Sequence, residues 1–464
     1  MAAFKNLFAA FLNILTHVSC PNSISITHLL ATSFLLLSLL FLSTSLTNHS
    51  PSFTASALAS RLLFAANYIS PFSSIKSSDT CLVSEIRDNC TLSSVTAMER
   101  SRRNSRKEPP DMISDLSSCH IFNGKWVADD SGPLYQPGSC PFVDDSFNCF
   151  SNGRPDFDYL RFRWKPHGCQ IPRFDGSKML EMLRGKRMVF VGDSLNRNMW
   201  ESLVCALRES LKNKSRIYEV SSRREFRTRT LYSFKFIDYG CSIDFVKSPF
   251  LVQEWKQSDK TGIRRETLRL DMVPTTYSKY HDADIIIFNT GHWWTHQKTF
   301  KGKDYFQEGN HVYPRLEVTE AYTKALLTWA QWVDSNINTS RTRVFFRGYS
   351  ASHFRKEQWN SSGSCEDEKE PISNEKEVAG YPWMMRILER VISEMKVEVL
   401  YLNITRMTDY RKDGHPSIYR QKNKNDDMIQ DCSHWCLPGI PDSWNELLYT
   451  TLLLSHHDLL PLKS

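Results

Sequence analysis

Apolar positions in this chain fall into two alternating patterns. Short β-branched or aromatic runs occur at Arg187–Val191 (RMVFV), Asp284–Phe288 (DIIIF), Arg343–Phe346 (RVFF) and Val397–Leu402 (VEVLYL), each with the length and composition of a buried strand. Helical periodicity follows at Leu195–Leu211, at about Thr319–Ser335 behind a capping-type threonine, and over Lys376–Glu394 across Pro382. Strand and helix in series predict a parallel sheet covered on both faces, an α/β fold. Tyr232–Asp238 and Ser242–Lys247 read as an inserted hairpin around Gly240-Cys241.

The first 117 residues follow neither pattern. His28–Leu46 is a charge-free apolar run just long enough to cross a bilayer as a helix. It starts too late for an ordinary cleaved signal and lacks a clear small-residue cleavage site, which predicts an uncleaved signal anchor. Residues 1–27 are then a cytoplasmic tail, 28–46 a single membrane span, and the C-terminal bulk is lumenal. Residues 47–117, rich in Ser, Thr, Asn and charge, read as a stem. Residues 118–464 form the lumenal domain, with a Cys- and aromatic-rich block over 118–171 and a core over 172–455.

Composition supports this division. With 41% hydrophobic residues and 12 Trp, 17 Tyr and 27 Phe among 464, the chain has ample material for a core and is not disordered. The net charge of +7 is spread among interspersed acids, so nucleic acid is not an expected partner. Nine of the 12 cysteines follow the stem, and Asn48, Asn89, Asn213, Asn338, Asn360 and Asn403 each open an Asn-X-Ser/Thr triplet. Both features point to the oxidising secretory pathway.

The candidate chemistry gathers at strand ends. Gly192-Asp193-Ser194 lies between RMVFV and a helix, where ligands bind in open α/β sheets, and the helix N–H groups there can stabilise an oxyanion. The alternative for such a tripeptide is a plain helix N-cap. Near the C-terminus, Asp431-Cys432-Ser433-His434 places a carboxylate three residues before an imidazole. That spacing lets Asp431 orient His434 while His434 accepts the Ser194 proton. Cys432, His434 and Cys436 are also at metal-ligand spacing, but no second pair follows and lumenal cysteines prefer disulfides, so no metal is expected. After DIIIF, Asn289 is a candidate oxyanion donor or a turn residue, and Trp293-Trp294 are candidate sugar-stacking indoles or core. Gly192, Asp193 and Arg197 complete the candidate oxyanion and substrate set. His292 and His296 are at i, i+4 spacing without the glutamate of a zinc protease motif.

Taken together, VGDSLNRNMWESL, FNTGHWW, VFFRGYSASHF and DCSHWCLPGIPDSWNELLY, with CHIFNGKWVADDSGPLYQPGSCPF upstream, resemble the plant trichome birefringence-like family of wall polysaccharide O-acetyltransferases over about Cys119–Tyr449. The resemblance implies an SGNH-hydrolase-like three-layer α/β/α fold, a Golgi type II membrane protein, and acetyl transfer to polysaccharide hydroxyls through an acyl-serine. It also suggests the disulfides Cys119–Cys169, Cys140–Cys205, Cys149–Cys436 and Cys365–Cys432, leaving Cys241 unpaired.

Three functions compete. The favoured one is acetyl transfer to a wall polysaccharide such as xylan or pectin; hydrolytic deacetylation uses the same residues. The third is a non-catalytic polysaccharide-bridging protein that maintains pectin esterification, with Arg161, Arg163, Lys165, Trp164, Trp293 and Trp294 as contacts. No nucleotide fingerprint occurs, so no bound cofactor is expected, and the acetyl donor is acetyl-CoA acting directly or through a relay protein.

Overall fold

The computed structural model describes residues 116, 118–220, 231–258, 264–355, 363–420 and 430–456. The expected tail and span and nearly all of the stem lie outside these residues. Among the described residues no helix is long and apolar enough to cross a membrane.

In chain order the strands are β1 (Gly124–Ala128), β2 (Phe162–Pro166), β3 (Arg187–Gly192), β4 (Ile217–Glu219), β5 (Leu231–Phe236), β6 (Cys241–Lys247), β7 (Gln253–Ser258), β8 (Arg264–Arg269), β9 (Ile285–Phe288), β10 (Phe306–Glu308), β11 (His311–Val312), β12 (Arg343–Arg347) and β13 (Val399–Leu402). The helices are α1 (Gly176–Met182), α2 (Ser194–Glu209), α3 (Val318–Asn336), α4 (Trp383–Glu394), α5 (Thr405–Asp409) and α6 (Ile440–His456). The main sheet has the order β13-β12-β9-β3-β6-β5-β4. From β13 to β6 its strands are parallel, and β5 and β4 close one edge antiparallel. A second sheet, β11-β10-β8-β7, and the β1-β2 pair complete the described strands.

Side-chain alternation explains why the sheet is covered twice. Along β3, Met188 and Phe190 enter one core with α2 and α6, whereas Val189 and Val191 enter the other with α3 and α4. β9 repeats the division, with Ile285 and Ile287 on the first face and Ile286 and Phe288 on the second. Strands apolar on both faces are the signature of a parallel sheet between helical layers, so the expected α/β architecture is the observed one.

Three boundaries differ from the sequence expectation. The β5–β6 hairpin is not an insertion: β6 pairs in parallel with β3 over Arg187–Gly192, so it is an inner strand of the main sheet. Its Gly240 turn stands at the amino end of the parallel strands, the end opposite Ser194. α4 begins only at Trp383, with Pro382 as its N-cap, because the proline ring disfavours helical backbone at the residue before it. α3 starts at Val318 behind Glu317, and no side-chain cap hydrogen bond is made there.

Among the described residues four disulfides join Cys119–Cys169, Cys140–Cys205, Cys149–Cys436 and Cys365–Cys432, and Cys241 is a buried free thiol. Of the described triplet asparagines, Asn213 and Asn338 lie on exposed turns, whereas Asn403 is half-buried and donates to the Tyr381 hydroxyl at 3.1 Å. Asn48, Asn89 and Asn360 lie outside the described residues.

Candidate active site

β3 ends at Gly192 and α2 starts at Ser194, so the chain must reverse within one residue, Asp193. Gly192 has φ 156°, and a Cβ there would stand 1.8 Å from Asn289 Oδ1, so only glycine fits. Asp193 caps α2, its Oδ1 accepting the Leu195 N–H at 2.9 Å. Asn289, one residue past β9, grips Asp193 twice: Oδ1 accepts the Asp193 N–H at 3.0 Å, and Nδ2 donates to Asp193 Oδ1 at 2.7 Å. The Asn289 amide thus holds the turn below Ser194 with its oxygen and one of its two N–H donors, the turn-residue role weighed for it beside that of oxyanion donor. Fully buried Arg347 sets a positive charge 3.9 Å from Asp193 Oδ1. Burial pushes His292 down to about 4, so its ring is neutral where it stacks on Tyr349 at 4.3 Å.

Ser194 is half-buried and faces the loop before α6. His434 Nε2 lies 2.7 Å from Ser194 Oγ, and His434 Nδ1 lies 2.7 Å from Asp431 Oδ2. Asp431 Oδ1 accepts the backbone N–H groups of Ser433 and His434 at 3.1 and 3.0 Å, so the carboxylate orients both loop and ring. Burial works against ionisation of Asp431. The His434 charge and the hydrogen bonds from His434 and Ser433 outweigh it and hold the carboxyl well below the usual range.

Several positioning residues escaped the sequence reading. Asn198, one turn into α2, accepts the Trp435 N–H at 2.8 Å and donates to the Trp435 carbonyl at 3.1 Å, locking the residue after His434 to the serine helix. Phe147 backs the His434 ring at 5.2 Å. Asn198 stands in the same stretch as Ser194, but its partner is 237 residues away. The disulfides Cys149–Cys436 and Cys365–Cys432 pin both sides of the histidine loop and leave neither cysteine as a thiolate metal ligand.

Other expected contacts are structural. Arg197 is 8% exposed, pairs with Asp144 at 3.2 Å and Glu201 at 3.7 Å, and lies over Phe147 at 4.7 Å, so it braces the site from behind and does not face substrate. Trp294 is core, 2% exposed, with its N–H on Thr290 Oγ1 at 2.9 Å. Trp164 is equally buried and Arg163 donates to the Ile171 carbonyl, whereas Arg161, paired with Asp130, and Lys165 stay exposed. Trp293, half-buried beneath Lys298 at 4.5 Å, does line the cleft. That cleft, about 940 Å³, runs from Ser194 and His434 past Trp293 and His296 to Trp383.

A serine at the carboxyl end of a parallel strand, joined to an Asp-x-x-His loop, has a counterpart in known families. Residues 171–451 match the PC-Esterase family, described as the GDSL/SGNH-like acyl-esterase family found in Pmr5 and Cas1p, and residues 117–170 match the PMR5 N-terminal domain. The fold and site thus define a protein of the GDSL/SGNH-like acyl-esterase class, for which acyl transfer or ester hydrolysis is the chemistry. The chain is 59% identical over 427 residues to protein trichome birefringence-like 4 of Arabidopsis thaliana, covering 90% of this chain and 91% of that protein. It is 56% identical over 365 residues to trichome birefringence-like 1 (77% and 66% covered) and 55% over 360 to protein trichome birefringence (76% and 59%), both also from Arabidopsis thaliana. The chain belongs to the trichome birefringence-like family.

Proposed function

We propose that this protein is a polysaccharide O-acetyltransferase that carries the acetyl group on Ser194. One observation carries the reading: the chain Ser194 Oγ, His434 Nε2, His434 Nδ1, Asp431 Oδ2 has both contacts at 2.7 Å and opens on a cleft of about 940 Å³. That volume is near the top of the roughly 300–1,000 Å³ range of ligand pockets, which suits a segment of glycan better than a small ester.

In the first half-reaction Ser194 Oγ attacks the acetyl carbonyl, its proton passes to His434 Nε2, and the donor's leaving group departs with that proton. Asp431 stays ionised and holds the imidazolium. The oxyanion falls to the Ser194 backbone N–H at the start of α2, since the Leu195 and Arg197 N–H groups are taken by Asp193. In the second half-reaction a sugar hydroxyl gives its proton to His434 and takes the acetyl from Ser194, whose Oγ leaves with that proton returned by His434, restoring the enzyme. Trp293 and the Lys298 ammonium above it form the wall on which the acceptor sugar rests. The acceptor class is a wall polysaccharide such as xylan or pectin, and the donor is acetyl-CoA or an acetylated relay protein, with no cofactor held.

The reading includes a Golgi-lumenal type II placement through the His28–Leu46 span; the disulfides and the exposed Asn213 and Asn338 turns support it. Full-length protein, wild type and Ser194→Ala, is incubated with an acetyl donor and deacetylated xylan or pectin oligosaccharides, and the sugars are weighed by mass spectrometry. Acetate gained only with the wild type supports the transferase. Acetate lost from acetylated oligosaccharides makes the protein an esterase, and binding with no Ser194-dependent mass change makes it a bridging protein.

A further inference from the structure

Behind the histidine loop lies a second pair of histidines that the reaction above does not use. His353 Nδ1 and His415 Nε2 are 2.7 Å apart. At the outer ends, His353 Nε2 is 2.9 Å from the Asp409 carbonyl oxygen, and His415 Nδ1 is 2.6 Å from the His434 carbonyl oxygen. The His353 backbone N–H also donates to the Cys432 carbonyl at 3.0 Å, so His353 meets the histidine loop directly as well as through His415.

Counting protons fixes the state of the pair. Both outer partners are carbonyl oxygens, which only accept, so each outer contact needs an N–H. The central contact between two ring nitrogens needs a third. Two neutral imidazoles own only two N–H groups between them. We propose that His353 and His415 share one extra proton and form a charged brace that positions His434, and that losing this proton on the alkaline side loosens the brace and slows turnover. The proposal rests on His434 being the general base for Ser194.

The surroundings say where the proton sits. His415 is 2% exposed and stacks on Trp435 at 4.1 Å; burial, then the neighbouring His353, drives it well toward the neutral form. His353 is the more exposed ring and has the Asp409 Oδ1 carboxylate oxygen 3.6 Å from its Nε2. The imidazolium is therefore His353, donating to Asp409 and to His415 Nε2. His415 is the neutral Nδ1–H tautomer, donating to His434. Among the described residues, the other charged groups facing the pair are Asp431 and His434 across the loop, and Arg154, whose Nη1 donates to the His415 carbonyl at 3.1 Å and whose Nη2 donates to the carbonyl of Asp413, itself paired with Arg411. His353 and His415 touch no reacting atom; they are positioning residues.

The test is the pH profile of kcat for full-length enzyme with p-nitrophenyl acetate as the probe, over about pH 5–8, where histidines titrate, with the Ser194→Ala rate subtracted. The wild type is expected to give a bell whose alkaline limb falls as the brace loses its proton. In His353→Gln the amide still donates to His415 but does not titrate, so the rise stays and the fall disappears. His353→Phe removes the donor and lowers kcat about tenfold with KM unchanged. If the Phe variant does not fold, the Gln profile decides alone. A wild-type profile without a fall, or a fall that persists in His353→Gln, overturns the brace. Ser194→Ala turning over at the wild-type rate would instead remove the reading on which the brace rests.

Discussion

Asn289→Ala separates two roles that a side chain beside an active serine can have. The structure gives Asn289 two bonds to Asp193, one from a neutral backbone N–H at 3.0 Å and one to a buried carboxylate oxygen at 2.7 Å. A neutral bond contributes about 0.5–1.5 kcal/mol and one to a charged group about 1.5–3 kcal/mol. The truncation is therefore expected to cost about 2–4 kcal/mol of folding stability, with the space left beside Gly192 adding to it. Urea unfolding of the full-length protein measures the loss, and a double-mutant cycle with Asp193→Ala should return a coupling of at least about 1.5 kcal/mol, because the two side chains share one bond. Turnover should fall only about tenfold, through a loosened Ser194 turn. An unchanged unfolding midpoint with kcat down about 10²–10³-fold, the signature of a lost oxyanion donor, would refute the assignment.

Asp431→Asn should lower kcat by about 10³–10⁴-fold, because a neutral amide neither fixes the tautomer nor supports imidazolium; single-turnover ester cleavage measures it. The depressed Asp431 carboxyl contributes stability that is present above its ordinary value of 3.8 and lost as pH falls through its folded value, so acid unfolding of Asp431→Asn should lack that component. Asp442 has the opposite sign. Burial raises it to about 7 despite donors from Ser202 and Gly439, so its contribution is full below 3.8 and lost as pH rises through about 7. Asp442→Asn should then be the more resistant to urea above pH 7 and show a flatter stability profile from acid to neutral. Replacing Cys365 and Cys432 together by serine opens a closure of 67 residues and should cost about 4 kcal/mol by chain entropy, with kcat falling as well because the bridge holds the His434 loop.

Features set by neighbours in sequence were legible from the chain, and features set by distant partners were not. RMVFV and DIIIF announce buried strands by composition alone, and Ser194 follows at the strand end where an α/β sheet binds ligands. The Asp431 and His434 contact was readable because the two stand three residues apart. Arg197 looked available because Asp144, which buries it, is 53 residues upstream. Trp293 and Trp294 are adjacent, yet only the fold decides that one faces the cleft and the other meets Phe306 and Tyr322. The β5–β6 hairpin looked like an insertion because nothing local shows that β6 enters the sheet between β5 and β3. His353 and His415, 62 residues apart, carry no local signal at all.

The central claim is that acetyl passes through Ser194. Full-length enzyme is mixed with an acetyl donor in the absence of polysaccharide, quenched in acid, digested and mapped by mass spectrometry. The account predicts one acetyl mass on the peptide holding Ser194 in the wild type, discharged on adding acceptor oligosaccharide and absent in His434→Ala. Acetate transferred to sugar at the wild-type rate by Ser194→Ala, or a rapidly discharged acetyl group mapping to another residue, would contradict it.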